Sequence, residues 1–451
     1  MKVCKFGGTS LADANQIRKM IDIVLSDPER KIVVVSAPGK RNSNDVKVTD
    51  MLIKLAKTKL EKKDYKSELA TVVERYSSIC NDLGLSSDVI KTIEKNIITV
   101  LEKEEDKEEY FIDAVKATGE DNCAYLIAKE FIHRNIKARY LSPLEAGLFL
   151  SEEYGNAQVL PESYENLNKA LKGYDGITVF PGFFGYTRKG RVVTFSRGGS
   201  DITGSILAAA AKAELYENFT DVDSVFAVDP SIIQDPVSIS ELTYREMREL
   251  SYAGFKVLHE EAILPTALAG IPICIKNTNN PKAPGTLITP HHKNIYSRVV
   301  GIASDDGFAT LYIEKILMNR EIGFGRKVLQ IFEDENIPFE HMPSGIDNLS
   351  IILRESFITS EIEKKIYKRL KEELKVNKVE LERGLSIIMI VGEGMRSTVG
   401  MAALATAALA EAGVNIEMIN QGSSEISMMF GVKSVDRKKA VKALYKKFFE
   451  G

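Results

Sequence analysis

Apolar and polar positions alternate along this chain in two rhythms, and the change between them is the first clue to its organisation. Over roughly the first two thirds, short apolar runs alternate with longer stretches of helical spacing. "KVCKF" and "KIVVVSA" read as strands, with "LADANQIRKMIDIVLSD" as the helix between them. Nearly continuous apolar runs of this kind suit strands covered by helices on both faces. Further strands are predicted at "ARYLS", "ITVFPGFFG", "VVTFS", "AELYENFT" and "IPICIKN", with helices between most of them. A charged helical region runs from about Met51 to Glu109, includes "EKEEDKEE", and reads as solvated helices. The alternation predicts an α/β sheet with helical layers.

"NNPKAPGTLITPHH", rich in Pro, Asn and Gly, reads as a domain end. From about Val299 the order becomes strand, helix, strand, strand, helix, and it occurs twice. The first copy runs through "FATLYIEKI", "GRKVLQIFEDEN", "FEHMPSG", "NLSIILRE", "SEIEKKIYKRLKEEL" and "KVELER". The second runs through "LSIIMIVGEG", "VGMAALATAALAEAG", "NIEMINQG", "EISMMFGVKS" and "DRKKAVKALYKKFF". Each is close to a βαββαβ ferredoxin-like unit. The second copy lacks its last strand, and an unpaired sheet edge is a liability. "RVVGIAS", residues 298–304, is predicted to supply it, which inserts the first copy within the second. The expected domains are 1–292, then 307–384, then 298–306 together with 385–451.

Composition narrows the function classes. The 451 residues carry 60 basic and 63 acidic side chains, a formal net charge of -3, which gives no support to nucleic acid or an anionic membrane as partner. Cys4, Cys80, Cys123 and Cys274 stand far apart, so reduced thiols in a cytoplasmic protein are expected rather than disulfides or a zinc site. The N-terminus enters a strand directly, without the charged and apolar regions of a leader peptide. The most apolar stretch, "MAALATAALAEAG", is too short to span a membrane and reads as a buried amphipathic helix.

Candidate chemistry lies in the connections. "MKVCKFGGTS" puts Lys5 before Gly7 and Gly8 and follows them with Thr9 and Ser10. It is neither a Walker A loop nor the dinucleotide Gly-x-Gly-x-x-Gly, and alone it is equally a tight strand-to-helix turn. "SRGGSD" joins Arg197, a fork of donors suited to a carboxylate, to Gly198 and Gly199, which allow close backbone approach. Ser200 is a candidate helix cap, and Asp201 lies in the first turn. "FTDVDSVFAVDP" carries Asp221, Asp223 and Asp229 but lacks the glycine and glutamate of an EF-hand loop. "ELTYREMRELSYAGFKVLHEEAI" reads as a helix interrupted near Gly254, with Lys256 beside the break able to reach a phosphate. His259 offers a general base but has no partner serine or cysteine in a recognisable nucleophile motif, and reads first as a packed or capping histidine.

Taken together, these motifs resemble those of the aspartate kinases, of the amino-acid kinase fold. The resemblance covers nearly the whole chain, through Lys-Phe-Gly-Gly-Thr-Ser, "VVVSA", "TGE", "SRGGSD", "TDVD", "KVLH" and "PGTLI". "VGEGMRSTVG" and "INQGSSEISMMF" look like the final ACT module of that family. The resemblance implies an αβα sandwich with a mainly parallel sheet, followed by two ACT domains. It implies that ATP phosphorylates L-aspartate, with Mg²⁺ held mainly by the ATP phosphates and no metal held by the protein.

The same resemblance assigns residues. Lys5 would contact the transferred phosphoryl group, with Gly7 and Gly8 at the phosphates and Asp201 positioning Lys5. Ser36, Thr49 and Ser200 would line the aspartate pocket, although "PGKRNSNDVK" before Thr49 is longer than in many relatives. Glu120 would hold the substrate ammonium, and Arg197, with Gly198 and Gly199, its α-carboxylate. Thr220, Asp221, Phe226 and Lys256 would line the nucleotide site. Ser231 stands where many relatives have arginine. In the first ACT copy, Met318, Ile322, Gly323, Phe324, Ser344 and Asp347 would hold an amino-acid effector, lysine first, with threonine open. A homodimer or homotetramer through the ACT domains is implied. The logic is coherent, because phosphoryl transfer to a carboxylate needs positioning and charge stabilisation but no protein nucleophile. A kinase of another amino acid, or a sensor that kept the fold without catalysis, remain the alternatives.

Overall fold

The computed structural model describes residues 1–103, 107–292, 298–396, 398–422 and 424–450. They form two compact units. The first comprises Met1–Val225, Ser238–Arg248 and Lys256–Lys293; the second comprises Phe226–Val237, Glu249–Phe255 and Asn294–Gly451.

The first half of the first unit contains β1 (Lys2–Phe6), α1 (Ala14–Leu25), β2 (Arg30–Val35), α2 (Val48–Leu60), α3 (Lys66–Leu83), α4 (Ser87–Glu102), α5 (Glu108–His133) and β3 (Ala138–Tyr140). There follow α6 (Glu162–Leu171), β4 (Ile177–Pro181), β5 (Phe184–Tyr186), β6 (Val192–Thr194), α7 (Gly199–Ala211), β7 (Leu215–Thr220) and β8 (Val225–Phe226). The chain continues through β9 (Ser238–Ile239), β10 (Glu241–Thr243), α8 (Tyr244–Tyr252), α9 (Glu260–Ala269), β11 (Ile273–Asn277) and β12 (Thr286–Thr289).

Eight strands form one sheet in the order β10-β12-β11-β7-β1-β2-β4-β3. Every adjacent pair is parallel except β11 with β12. Val3 to Phe6 and Ile32 to Val35 are buried without a break, so both faces of these central strands are covered. The charged region is less solvated than its composition suggests. Its helices bury Leu52, Leu55, Val72, Tyr76, Ile79, Ile93 and Ile97 in the same core as Ile17 and Val33.

Two expectations change here. "ITVFPGFFG" is not one strand. Gly182 donates its N–H to Val35 O, and Phe183 has φ 75°, so the chain turns out of the main sheet. The continuation, β5, pairs antiparallel with β6 as a separate hairpin. "GTLITP" is not only a domain end either, because β12 lies in the main sheet between β10 and β11, with Thr286 and Ile288 buried.

The second unit contains β13 (Gly301–Glu314), α10 (Phe324–Asp334), β14 (Asn348–Arg354), α11 (Ser360–Glu372), β15 (Lys378–Val391), α12 (Met401–Glu411), β16 (Met418–Asn420), β17 (Ser427–Lys433) and α13 (Arg437–Tyr445). The strands form a single antiparallel sheet, β14-β13-β15-β17-β16. The sequence predicts separate strands at 298–304 and 308–316, and again at 378–383 and 385–394. Each pair is instead one 14-residue strand, β13 or β15. Gly307 (φ 83°) and Gly384 (φ 78°) sit at the joins, where a left-handed backbone lets the ladder shift register without ending. Residues 301–306 pair with 386–391, and 308–314 with 378–385. "FEHMPSG" makes only isolated bridges at His341 and Ser344. The alanine-rich α12 buries Met401, Ala405, Ala408 and Leu409 but leaves Ala402, Ala403, Ala407 and Ala410 exposed, so one face only is covered.

Candidate active site

In an open α/β sheet, ligands gather beyond the carboxyl ends of the parallel strands. Here β1, β2, β4, β7 and β11 end at Phe6, Val35, Pro181, Thr220 and Asn277. The connections leaving these ends carry most of the polar residues singled out by sequence.

Lys5 comes one residue before the end of β1 and is 7% exposed. Its Nζ lies 2.6 Å from Asp201 Oδ1 and 3.4 Å from Asn218 Oδ1. Asn218 Nδ2 in turn donates to Asp201 Oδ1 at 2.8 Å. The three side chains come from β1, β7 and the first turn of α7, and together they fix one ammonium in a single place. A cation desolvated to this degree requires such partners.

The glycines that follow Lys5 have specific tasks. Gly7 donates its N–H to Phe219 O at 3.1 Å, and a Cβ there would lie 3.4 Å from Lys5 Nζ. A Cβ on Gly8 would come within 2.9 Å of Ala37 O, and Gly8 O accepts the N–H of Gly39 at 2.8 Å. The two glycines therefore let the turn after β1 lie flat on the turn after β2. Ser36 donates its own N–H to Phe6 O at 3.2 Å. Ser10 and Thr278 share a 2.7 Å hydroxyl contact that ties the end of β11 to the same turn.

Glu120 lies on α5 against that second turn and accepts the N–H of Ala37. Burial is the largest influence on it and raises its pKa to about 7; the backbone bonds and Lys116 pull the other way. Its Oε2 is buried with no hydrogen-bond partner among the described residues. Such an oxygen is costly unless something else binds there. Gly119 packs on Ala37, Val48 and Leu52, which brings the start of α2, and with it Thr49, to the same side.

The "SRGGSD" turn differs in one detail from its sequence reading. Gly198, not Ser200, is the N-cap of α7, with φ 74° and no side-chain cap bond. Ser200 is inside the helix and buried, with its hydroxyl against Gly182, where a Cβ would meet it at 2.6 Å. Gly199 packs on Phe183 and Phe195. Gly198 faces His259 Cβ, so that histidine is a packing neighbour; it occupies the N-cap of α9 without a cap bond. Arg197 is exposed. An exposed guanidinium beside an αL glycine and a helix N-terminus suits an anion.

The nucleotide candidates are less tightly gathered. Thr220 and Asp221 follow β7 and bond to each other at 3.2 Å, and Thr220 O accepts the N–H of Thr278. Lys256 is exposed. Phe226 ends β8 and belongs to the second unit. Ser231 donates its N–H to Asp229 at 2.8 Å. In the second unit, Met318 and Phe324 are buried, while Ile322, Gly323 and Ser344 are exposed. Asp347 accepts the N–H of Leu317 at 2.8 Å and so joins the two loops that carry these residues.

Sequence reasoning missed Asn218 and Arg75. A signal existed for both. Asn218 is a polar residue inside a buried parallel strand. Arg75 falls on the apolar face of α3, with Val72, Tyr76 and Ile79. It is 4% exposed and binds Gly39 O, Asp45 and Val46 O, holding the long "PGKRNSNDVK" segment in place.

Comparison with known proteins agrees with this picture. The amino acid kinase family model matches residues 1–277, and an ACT domain model matches residues 388–448. Aspartokinase 3 of Bacillus subtilis (strain 168) is 56% identical over 451 residues, covering 100% of this chain and 99% of the relative. The crystal structure of Clostridium acetobutylicum aspartate kinase, an allosteric enzyme, aligns with TM-score 0.85 and 38% identity over 99% of this chain and 100% of that one. E. coli aspartokinase III in complex with lysine and aspartate, in its T-state, aligns with TM-score 0.79 and 25% identity over 100% of this chain and 99% of that one. The chain belongs to the amino acid kinase family, and within that family it is an aspartate kinase.

Proposed function

We propose that this enzyme transfers the γ-phosphoryl group of ATP to the side-chain carboxylate of L-aspartate, giving 4-phospho-L-aspartate. Lys5 meets the phosphoryl group, aligned by Asp201, while the N–H groups of Gly7 and Gly8 meet the phosphates. Glu120 takes the substrate ammonium, and Arg197, with the Gly198–Gly199 backbone, takes the α-carboxylate. Ser36, Thr49 and Ser200 line the amino-acid pocket, and Thr220, Asp221, Phe226 and Lys256 the nucleotide pocket. Mg²⁺ arrives with ATP, carried by its phosphates.

The triangle of Lys5, Asp201 and Asn218 is the observation that carries this reading. A nucleophilic carboxylate and a polyphosphate repel each other, and a fixed, desolvated cation offsets that repulsion without reorganising. The unpartnered Glu120 oxygen supports the second half, because an ammonium supplies the missing donor. With both α-groups held, the side-chain carboxylate is the only one left free to attack.

We further propose feedback inhibition by an end-product amino acid, lysine first, bound by Met318, Ile322, Gly323, Phe324, Ser344 and Asp347. The E. coli neighbour with lysine bound supports that choice. The reaction then stands at the head of lysine, threonine and methionine synthesis, in the cytoplasm. No described helix is long and apolar enough to cross a membrane. Pairing of ACT domains between subunits gives a homodimer or homotetramer, with the domains divided at 1–292, 307–384, and 298–306 with 385–451.

The test supplies ATP, Mg²⁺, hydroxylamine and either L-aspartate or L-glutamate, and looks for the acyl hydroxamate. Aspartyl hydroxamate should form and glutamyl hydroxamate should not. Lysine should suppress it, and threonine, alone and with lysine, is tested beside it. Absence of aspartyl hydroxamate without any inhibitor overturns the reaction, and indifference to lysine overturns the effector.

A further inference from the structure

Helix α5 carries more than Glu120 on the face it turns to this site. Positions 113, 116 and 120 follow the i, i+3, i+7 spacing of a single helical face. Asp113 is 2% exposed. Its Oδ2 accepts the N–H groups of Thr194 and Gly155, both at 2.9 Å, and its Oδ1 lies 2.7 Å from Lys116 Nζ. Lys116 Nζ also donates to Thr194 Oγ1 at 3.3 Å and stands 5.6 Å from the centre of the Phe183 ring.

Both targets flank the Arg197 turn. Thr194 ends β6, three residues before Arg197. Phe183, at φ 75°, donates its N–H to Thr203 Oγ1 and accepts the N–H of Phe195, and its ring fills the space where Gly199 would otherwise carry a Cβ. One turn further along α5 is Glu120. The same helix face thus grips the strand that leads to Arg197 and presents the carboxylate assigned to the substrate ammonium.

From this geometry we infer that Asp113 and Lys116 are positioning residues for the amino-acid substrate. They fix the spacing between Glu120 and Arg197, and the Lys116 ammonium adds a positive charge that partly offsets the burial of the Glu120 carboxylate. The inference rests on the roles proposed above for Glu120 and Arg197. An α-amino acid presents its ammonium and carboxylate at a fixed separation, so a site that reads both must hold its two readers at a fixed separation too. Asp113 does so through the backbone N–H groups of Thr194, at the buried end of β6, and of Gly155.

Among the described residues Lys116 is the charged group that acts on Glu120, while the adjacent Asp121 bonds to Tyr140 and Asn96 and, like Arg75, acts on Tyr76. The turn after β2 presents Ala37, and α2 presents Val48 and Leu52. From α3 comes Tyr76, which donates its hydroxyl to Gly119 O at 2.7 Å, and Cys123 lies further along α5. Burial pushes both Tyr76 and Cys123 up, so both are neutral where Glu120 titrates.

The test measures KM for L-aspartate and for ATP in the full-length enzyme from about pH 6 to about pH 9, with Lys116→Met, Lys116→Arg and Glu120→Gln. Lys116→Met should move the midpoint of the aspartate KM profile upward. If it moves by about one pH unit, KM at pH 7 rises about fivefold. The KM for ATP should not follow, and Lys116→Arg should restore the wild-type profile. A Lys116→Met enzyme that folds normally and keeps both the wild-type midpoint and KM overturns the inference. Should Lys116→Met not fold, Lys116→Gln makes the same measurement. Glu120→Gln separates the two levels. If it leaves aspartate KM untouched, the role of Glu120 fails and the inference falls with it. If it raises and flattens the profile while Lys116→Met changes nothing, the inference alone fails.

Discussion

The candidate sites of the two units differ in how deeply they are buried. In the first, Lys5, Glu120, Asp113 and Asn218 are buried and tied to one another or to backbone. In the second, the loops predicted to meet an effector stand largely in solvent: Ile322 is 96% exposed and Ile346 67%. Buried, mutually bonded groups suit a site that must not reorganise during a reaction. Exposed loops suit a surface whose arrangement responds to what binds it. Substitutions in the first unit should therefore alter turnover, and substitutions in the loops of the second should alter response.

The largest effect should come from Lys5→Met. Loss of the cation proposed to meet the phosphoryl group should lower kcat about a thousandfold, measured as hydroxamate formation at saturating substrates. A fall of less than about tenfold would place Lys5 outside the reacting centre.

Glu120→Gln comes next and is read in stability. Because the folded-state pKa of Glu120 is raised to about 7 from 4.5, the folded protein holds a proton that the unfolded chain releases, so stability falls as pH rises through this window. Above pH 8 the ionised side chain costs about 3 kcal/mol by that relation. Thermal unfolding without substrate should show Glu120→Gln more stable than wild type at pH 8 and no different near pH 4. Equal stability at pH 8 would mean that Glu120 is not held in a desolvated state.

Asn218→Leu removes the amide between Lys5 and Asp201 while filling its space. It should lower kcat about tenfold with little change in aspartate KM, as expected for a group that acts through others. The reverse split would put Asn218 in the amino-acid pocket. The smallest effect is expected in the second unit. Asp347→Ala should raise the lysine concentration needed for half-inhibition about fivefold, within the usual range of coupling energies. An unchanged inhibition curve would remove Asp347 from the effector site.

Much of this arrangement is legible in the sequence because it follows local periodicity. The Val-rich strands, the Lys-Phe-Gly-Gly turn and the two βαββ repeats all announce themselves by spacing. What escaped was set by long-range partners. The strand break at Gly182–Phe183 depends on Val35 and Thr203, and nothing in "ITVFPGFFG" itself reports them. The merging of four predicted strands into β13 and β15 depends on both glycines turning left-handed while their flanks stay paired, and a glycine in a strand signals a boundary as readily as a bulge. Asn218 and Arg75 were visible as polar residues on buried faces, but their partners lie 17 or more residues away.

The central claim is that Lys5 serves the phosphates while Glu120 and Arg197 hold the amino acid. Calorimetric titration of L-aspartate into Lys5→Met tests it most directly. The account predicts that aspartate binds within about twofold of wild-type affinity while hydroxamate formation is lost. Loss of aspartate binding together with turnover would contradict it.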